Sequence, residues 1–410
     1  MDHRPAPIMA PPADPLAAVT HPDPYPYYRT LAERGPVWFD PQLRLWVVTG
    51  YDAIVDVLHN PAARTRPVAE PIPAALRGTA TGDVFGQLVR MTDSAQSRAV
   101  KGALHRAMTD IPPERARALA GRVADEVLTH AAGTGEPDWP GPALFAIPIT
   151  VVAKLLGFPE PALAGLPLMV RQFAAALAPA PFTGSVADGD RATTALLAEV
   201  GELVERAVGR DTGLLGSFIR LARPVGPDWR ALVVANAIGL LFQSLDATAG
   251  LIGNGLRALG THPDFPERVA ADPARLSGIV RETLRHDPPV HNTRRFLAEP
   301  GSIAGQEVEP GGTLLLVIAA ANRDPAIFAD PDRFNPDRVG PEPLSFGIGA
   351  HRCPGQRLAW EIAVAGILSG IRHGLADAAQ TPLRFMPSPN ARVPLLPPPR
   401  TCRASVSDPH

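Results

Sequence analysis

The feature that most constrains this chain is a glycine-rich decapeptide with one cysteine, FGIGAHRCPG, at residues 346–355. Pro354 follows Cys353 directly and is favourable in the first turn of a helix, and an apolar segment with helical spacing continues the chain. Cys353 would then lie at the N-terminal end of that helix, where the dipole and the unpaired N–H groups lower the pKa of a thiol. The arrangement predicts a thiolate that stays charged, as suits a ligand of an iron atom.

The glycines of this decapeptide permit tight or left-handed backbone and allow the chain to approach a flat ligand closely. The pattern FGxGxHxCxG resembles the haem-binding loop of the cytochrome P450 family, and every fixed position matches. The resemblance implies haem b as the cofactor, Cys353 as the ligand of its iron, and Phe346, Gly347 and Gly355 as loop residues beside the haem. The alternative interpretation is a buried, inert cysteine in a glycine-rich turn.

Charge and cysteine content limit the partners and the compartment. The net charge of −2 and the pI of about 6.6 argue against a surface that binds nucleic acid. The chain has two cysteines, Cys353 and Cys402, so no disulfide framework is indicated and a reducing cytoplasm is the natural setting. Residues 1–15 lack the basic start and apolar core of a signal peptide. The longest apolar stretch, 231–256, is interrupted by polar side chains, which predicts a helix buried in protein rather than a membrane anchor.

The spacing of apolar residues predicts a mainly α protein with minor β structure. At 410 residues the length allows two lobes or one large domain, but no proline- or glycine-rich linker divides two cores. We expect one domain at residues 16–396, a disordered proline-rich tail at 1–15 and a second proline-rich tail at 397–410. Short strands are predicted at 37–39, at 45–48 and within 296–317, and a loop with one short helix at 67–83. Helices are predicted at 25–33, 51–58, 95–108, 113–132, 149–156, 163–177, 191–208, 228–259, 263–271, 273–286 and 354–372.

The resemblance to cytochromes P450 implies how these helices are arranged. It predicts the fold of that family, with the haem between the long 228–259 helix and the 354–372 helix. Glu282 and Arg285 stand at i and i+3 on one helix face, and alone would be read as a solvated surface pair. They are similar to the ExxR motif of the family, and Arg333 lies in a segment similar to its PERF motif. The resemblance implies a buried structural cluster of Glu282, Arg285 and Arg333.

Cationic residues are expected around the haem carboxylates. Thr293-Arg294-Arg295 resembles the segment from which the family extends an arginine to a haem propionate, and the spacing from Arg285 favours Arg295. His351, in the cysteine loop, is a second expected propionate donor. A third contact in the family comes from a His-x-x-x-Arg pair, and here Ser97 and Lys101 occupy those positions. We predict Lys101 as a propionate partner, with a solvated lysine as the alternative.

The long helix departs from the family pattern where oxygen is handled. The family reads [AG]-G-x-[DE]-T-[TS], and this chain has Gln243-Ser244-Leu245-Asp246-Ala247-Thr248. Asp246 keeps the carboxylate that relays protons, but Ala247 replaces the threonine that organises the relay. Thr248 lies about 100° further around the helix and cannot simply take its place. Either water or a substrate hydroxyl supplies the missing bond, or the enzyme performs radical-terminating oxidations such as coupling or desaturation.

By the same resemblance, Leu240, Gln243, Val290, His291 and Asn292 are predicted to line the substrate pocket. For His291, a structural histidine that is hydrogen-bonded to backbone is the alternative. The remaining histidines show no paired spacing that would suit a further metal site.

Together these features predict a haem-thiolate monooxygenase or oxidase that is soluble, cytoplasmic and monomeric. Its electrons would come from a separate ferredoxin and ferredoxin reductase, docking on a basic surface with Arg352, Arg357, His105 and Arg106. The substrate would be a small molecule, and a tailoring step in secondary metabolism on an aromatic or peptide-derived scaffold is predicted. A peroxygenase that uses hydrogen peroxide, and a non-catalytic P450-like auxiliary protein, are the alternatives. The sequence does not identify the substrate, the oxidised position or the redox partner.

Overall fold

In a computed structural model, the described residues are 10–179, 182–262, 264–380 and 383–399, and they form a single, mainly α-helical domain. The α-helices, in chain order, are α1 Tyr25–Ala32, α2 Tyr51–His59, α3 Ala80–Gln87, α4 Ala95–Thr109, α5 Pro113–Gly133, α6 Pro140–Leu156, α7 Glu160–Leu163, α8 Leu166–Leu177, α9 Val186–Ala207, α10 Gly213–Ala222, α11 Trp229–Thr261, α12 Asp264–Ala271, α13 Leu276–His286, α14 Ile318–Ala321, α15 Gln356–Arg372 and α16 Leu375–Ala378.

Short strands form a minor β region beside the helices. They are β1 Val37–Asp40, β2 Leu45–Val48, β3 Ala63–Arg64, β4 Thr293–Leu297, β5 Gly301–Ile303, β6 Gln306–Val308, β7 Thr313–Leu316, β8 Arg384–Phe385 and β9 Pro394–Leu395. The main sheet has five strands in the order β1-β2-β7-β4-β3, in which β2 and β7 are parallel and the other pairs antiparallel. The sheet places β4, which carries Arg295, next to the helical core.

Helix α11 is the centre of the helical core. It is apolar on nearly all sides, so it is buried rather than amphipathic, and α6, α8, α9, α13 and α15 pack around it. Among the described residues it is the one helix long and apolar enough to cross a membrane, and 56% of its most apolar window is buried inside the protein. At the contact with α15, a Cβ on Gly366 would lie 2.6 Å from Cδ1 of Ile252, so glycine permits the close approach of the two helices.

Most predicted elements are present, and the largest differences have a clear cause. Helix α6 begins at Pro140, although the sequence predicted a start at 149, because Pro140 is tolerated in the first turn and Pro148 is accommodated inside the helix. Helix α10 was not predicted. Within the predicted tails, the Asp14 carboxylate accepts hydrogen bonds from the N–H groups of Leu16 and Ala17. Residues 1–9 and 400–410, with Cys402, lie outside the described residues, so the tail boundaries remain predictions.

Candidate active site

The cysteine loop closes on itself before α15 begins. The backbone N–H of Cys353 donates to the carbonyl oxygen of Phe346 at 2.8 Å. Gly347 and Gly349 have φ angles of +64° and +61°, which side chains other than glycine rarely adopt. The helix starts at Gln356, so Pro354 precedes its first turn, and Phe346 packs at the edge of the main core. The loop therefore holds Cys353 just ahead of the N-terminus of α15, as the sequence predicted.

The effect of this position on the thiol is not the predicted one. Burial raises the pKa of Cys353, and it outweighs the lowering by the Gly355 N–H and by the Arg90 and Lys101 charges. The expected net lowering of the pKa by the helix end is thus wrong for the polypeptide alone, because desolvation disfavours the thiolate more than these groups favour it. A bound metal ion deprotonates a coordinating thiol outright, so a coordinated iron would supply what the helix end does not.

Cys353 and one face of α11 both carry partly accessible side chains. The side chains of Cys353 and Asp246 are partly accessible, and burial raises the pKa of both. On α11, Leu240, Gln243 and Ala247 are also partly accessible, with a spacing that places them on one face. Thr248 is 3% exposed, and so does not share the surroundings of Ala247.

Arg295 on β4 carries an unpaired donor at this site. Its side chain is buried, and Nη1 donates to the carbonyl oxygen of Arg294 at 2.8 Å. Its Nε is buried and has no hydrogen-bond partner among the described residues. Burial lowers the pKa of Arg295 to about 10. A buried guanidinium with an orphaned N–H fits an anionic ligand such as a haem carboxylate.

Lys101 and His351 lie on the same side of the site, along a cleft of about 340 Å³. The Lys101 ammonium donates to the carbonyl oxygen of Ala350 at 2.6 Å, and burial lowers its pKa. The Nε2 of His351 is 3.1 Å from Oδ1 of Asp93. Burial alone would raise the pKa of Asp93, but hydrogen bonds from His351 and Thr65 lower it to about 2. His351 therefore has a protein carboxylate as partner, which the sequence did not predict.

Ser97, where the family has histidine, is used for the fold of α4. Its backbone N–H donates to the Oγ of Ser94, which caps the helix, and its own hydroxyl donates to the Ser94 carbonyl at 2.9 Å. Ser97 thus brings no cation to the site. The charges of Cys353 and Arg295 both act on Lys101, and the three residues fit a haem, with a thiol for the iron and cations for its carboxylates.

The buried carboxylate–arginine cluster is present, but one predicted member is wrong. Glu282 accepts two hydrogen bonds from Arg285, at 3.0 and 2.7 Å. The third member is Arg338, whose Nε donates to Oε1 of Glu282 at 3.1 Å. The side chain of Arg333 is exposed, because a turn closed by its N–H and the Asp330 carbonyl leaves it outside, and Arg333 contributes only its carbonyl oxygen to Arg285.

Two of the predicted pocket residues are also structural. His291 is fully buried, its Nδ1 is 2.8 Å from the Tyr28 hydroxyl and its Nε2 is 3.7 Å from Asp287. Burial lowers the pKa of His291 to about 4, so the ring is neutral near pH 7. Asn292 is buried too, and its amide donates to the Pro389 carbonyl at 2.9 Å. The prediction that both line the pocket is wrong, because the buried side chain of His291 faces Tyr28 and Asp287 and that of Asn292 is bound to the C-terminal segment. Val290 remains partly accessible.

Sequence reasoning missed Arg90, which precedes the segment in which the family motif is altered. The side chain of Arg90 is exposed. Its charge lowers the pKa values of both Cys353 and Asp246. The signal available in the sequence was a cationic residue shortly before the positions, Ser97 and Lys101, where the His-x-x-x-Arg motif is altered.

Comparison with known proteins agrees with this geometry. The family model described as "Cytochrome P450" matches residues 267–365. The chain is 30% identical over 384 residues to "Cytochrome P450 monooxygenase PikC" of Streptomyces venezuelae, covering 90% of this chain and 89% of that protein. Two solved structures share the fold: P450BioI in complex with an acyl carrier protein carrying hexadec-9Z-enoic acid, and CxnD, a P450 for C–S bond formation in chuangxinmycin biosynthesis.

P450BioI superposes with a TM-score of 0.76 at 23% identity, covering 91% of this chain and 97% of that chain. For CxnD the TM-score is 0.74 at 22% identity, with 93% and 97% covered. The fold and the cysteine site define a haem-thiolate protein class, and the chain belongs to the cytochrome P450 family. It is an enzyme of the bacterial P450 monooxygenases.

Proposed function

We propose that this enzyme uses haem b, with Cys353 as the axial ligand, to oxidise a small organic molecule in a tailoring step of secondary metabolism. The reaction would be a hydroxylation or an oxidative C–C or C–N coupling of an aromatic or peptide-derived scaffold. The observation that carries the proposal is Cys353, partly accessible and held by the glycine-rich loop just ahead of the N-terminus of α15. When bound, a thiolate-ligated haem supplies the activation of O2. The involvement of CxnD in a biosynthetic route supports the tailoring role.

Lys101 and Arg295 are proposed to hold the two haem carboxylates. Arg295 is buried and Lys101 is half-buried, and Arg295 has a donor with no protein partner among the described residues. His351, paired with Asp93, would fix the cysteine loop and keep its other ring nitrogen free for a haem carboxylate. The loop residues Phe346, Gly347 and Gly355 would lie beside the ring.

Asp246 is the proposed proton donor of the site. Burial raises the pKa of its carboxyl, against the lowering by Arg90 and Arg171, so the group takes up a proton more readily than an exposed aspartate. No side-chain hydroxyl follows it at position 247, and the Ser244 hydroxyl donates to the Leu241 carbonyl of its own helix at 2.8 Å. Water or a substrate hydroxyl would therefore complete the relay, or the reaction ends in a radical step that needs less protonation.

Electrons are proposed to come from a ferredoxin, reduced by its reductase, that docks behind Cys353. Arg352, Arg357, His105 and Arg106 are all exposed on this side. The Nδ1 of His105 is 3.1 Å from the carbonyl oxygen of Pro354, so α4 and the cysteine loop form one basic surface. Such a surface attracts an acidic partner. The enzyme is proposed to work as a monomer. Its proposed compartment is the cytoplasm, where cysteines are kept reduced.

The test of the function is the absorbance of the haem-loaded protein after reduction and addition of CO. The wild-type protein should show the long-wavelength band of a thiolate-ligated haem. Cys353→Ser should lose that band, and Cys402→Ser, the matched control, should keep it. A protein that stays colourless after haem supplementation, or an unchanged spectrum in Cys353→Ser, would overturn the assignment. Turnover with hydrogen peroxide alone would favour a peroxygenase instead.

A further inference from the structure

Two arginines extend over one face of the strand pair β3–β4. Arg64 is opposite Phe296 in this antiparallel pair, so the chain that leaves β3 runs towards Arg294. The guanidinium carbon of Arg66 lies 5.9 Å from the centre of the Phe296 ring. Because side chains alternate along a strand, Arg294 shares the face of Phe296, whereas Arg295 projects from the opposite face. Arg66 and Arg294 are therefore neighbours on the side of β4 away from Arg295.

Arg66 is held between α3 and β4. Its guanidinium carbon is also 5.6 Å from the centre of the Phe85 ring, on α3, and Phe85 is 3% exposed. A cation is attracted to aromatic rings at such distances. The Nη2 of Arg66 donates to the backbone carbonyl of Glu70 at 3.1 Å. Two rings and one hydrogen bond thus fix the guanidinium, and 22% of the side chain stays exposed.

The 66–79 loop, which leads from Arg66 into α3, is itself packed onto that helix. A Cβ on Gly86 of α3 would lie 3.0 Å from Cδ1 of Ile72 in the loop. Helix α3 is in turn joined to α9, because the hydroxyl oxygens of Thr81 and Thr193 are 2.8 Å apart and both residues are fully buried. The position of Arg66 is therefore set by packed elements, and its guanidinium is preorganised for a ligand.

One carboxylate lies within ion-pair distance of these two guanidiniums in the described part of the chain. The Oε2 of Glu70 is 4.0 Å from Nη2 of Arg66, and its Oε1 accepts from the N–H of Ala74 at 3.0 Å. Among the same residues, the Arg294 side chain has no ion pair and no hydrogen bond. Burial lowers the pKa of Arg66, Glu70 raises it, and the charge of Arg294 lowers it further. The two cations therefore repel each other, and an anionic ligand would offset this repulsion.

Part of the Arg66 guanidinium is open to a ligand. Its Nε is buried and has no hydrogen-bond partner within the described ranges. Its Nη1 has no partner there either but keeps accessible surface, and the Arg294 side chain is partly accessible too. The acceptor oxygens of an oxyanion match such planar donors, so one oxyanion can bridge two guanidiniums. The small exposed fraction of Arg66 suits a small molecule rather than a protein surface.

We propose that Arg66 and Arg294 together bind one oxyanion of a small molecule, a carboxylate or a phosphate group, between the 66–79 loop and β4. This site is distinct from the cysteine site of the proposed function, because Arg294 and Arg295 project from opposite faces of the strand. The partly accessible ring of Phe296 offers an apolar contact to the rest of the ligand. Binding would offset the repulsion between the two arginines.

Calorimetric titration of the haem-loaded enzyme with inorganic phosphate and with benzoate, at constant ionic strength, tests the site. At least one of these anions should bind saturably. Arg66→Gln and Arg294→Gln should each weaken that binding roughly tenfold or more, as the loss of a charge-assisted hydrogen bond does. Arg77→Gln removes the same charge from an exposed position in the same loop, and this matched control should bind as the wild type does. Binding of neither anion, or unweakened binding in Arg66→Gln or in Arg294→Gln, would overturn the proposal.

Urea unfolding adds a readout that a purely structural role of these arginines would not produce. The bound anion should raise the urea midpoint of the wild type and of Arg77→Gln, and leave those of Arg66→Gln and Arg294→Gln unchanged. Without the anion, Arg294→Gln should be at least as stable as the wild type, because one of two repelling charges is gone. A lower midpoint for Arg294→Gln without the anion, with the wild-type increase in its presence, would overturn the proposal, because Arg294 would then stabilise the fold.

A third measurement separates a free oxyanion from a haem carboxylate. The rate at which haem is transferred to apomyoglobin should be the same for Arg294→Gln and for the wild type. Faster haem loss from Arg294→Gln would overturn the proposal, because Arg294 would then hold a haem carboxylate. Failure of the proposed function is distinguishable, since it would appear as a missing thiolate band in the CO complex and would leave the anion titration unchanged.

Discussion

Two groups of buried charges in this enzyme differ in how completely they are satisfied. Below the site, Glu282 accepts from Arg285, from Arg338 and from the N–H of Asn335 at 2.9 Å, and its side chain is 3% exposed. At the site, the Nε of the buried Arg295 has no partner in the described residues. The first group is complete within the polypeptide and stabilises the fold. The second has an unpaired buried donor, which an anionic ligand would satisfy.

A second buried network, around Asp287, shows why His291 belongs to the structural group, although its Nε2 has no hydrogen-bond partner in the described residues. Asp287 accepts from Arg392 and Arg257, both at 2.9 Å, and from the Tyr25 hydroxyl at 2.5 Å. Burial would raise the pKa of Asp287, but these arginine charges, Arg392 first, hold it well below its usual range. Arg392 also donates to backbone carbonyls near the N-terminus of the domain. Burial keeps the ring of His291 neutral near pH 7, and its side chain faces Tyr28 and Asp287.

The largest effect should come from breaking the complete network at Arg338. Arg338→Gln removes a charge-assisted hydrogen bond from the buried Glu282 carboxylate, so the free energy of unfolding should fall by about 2–3 kcal/mol. Arg333→Gln, the matched control at an exposed side chain, should change it by less than about 0.5 kcal/mol. Urea unfolding of both variants, followed by circular dichroism, measures the difference. A larger loss for Arg333→Gln would restore Arg333 as the third member of the cluster.

An intermediate effect is expected on the incomplete side, at Ala247. Ala247→Thr places a hydroxyl on the accessible face of α11, next to Asp246, and should change proton delivery to bound oxygen. We expect hydrogen peroxide formed per oxygen consumed to change by roughly tenfold, below the full contribution of a positioned proton donor.

Ala247→Val adds the same bulk without a hydroxyl and serves as the control. The measurement is oxygen and peroxide with a ferredoxin system. If Ala247→Thr and the wild type give the same peroxide yield, water or substrate already supplies the hydrogen bond. The alanine at position 247 is then not an adaptation to a different reaction.

The smallest effect should come from charges that neither network involves. Reversing Arg352 and Arg357 to glutamate should raise the ferredoxin concentration for half-maximal turnover by roughly fivefold at low ionic strength, because exposed charges mainly steer association. The difference should shrink as salt is added. Arg220→Glu, on α10, should leave it unchanged. Equal ferredoxin dependence in all three proteins would mean that the partner docks elsewhere.

Local sequence patterns accounted for much of the fold. Helical spacing predicted α4, α5, α11 and α13 to within a few residues, since each combines continuous apolar periodicity with a clear start or stop. Helix α6 was predicted too short, because a proline inside a buried helix is tolerated when packing compensates for the lost hydrogen bond. Helix α10 was not predicted, because its 10 residues are too few for a long periodic pattern.

The cysteine loop illustrates what the sequence by itself determined. The glycines, Pro354 and Cys353 specify a tight turn that ends at a helix N-terminus, because backbone sterics and helix ends act over a few residues. The same holds for the pairing of Glu282 with Arg285, which share one helix face.

Tertiary structure decided which charges are satisfied. Arg338 rather than Arg333 reaches Glu282 and His351 meets Asp93, and neither outcome follows from spacing along the chain. The physical reason is that desolvation and charge pairing depend on which segments meet in space, and a turn or a strand end can point an otherwise identical arginine inward or outward.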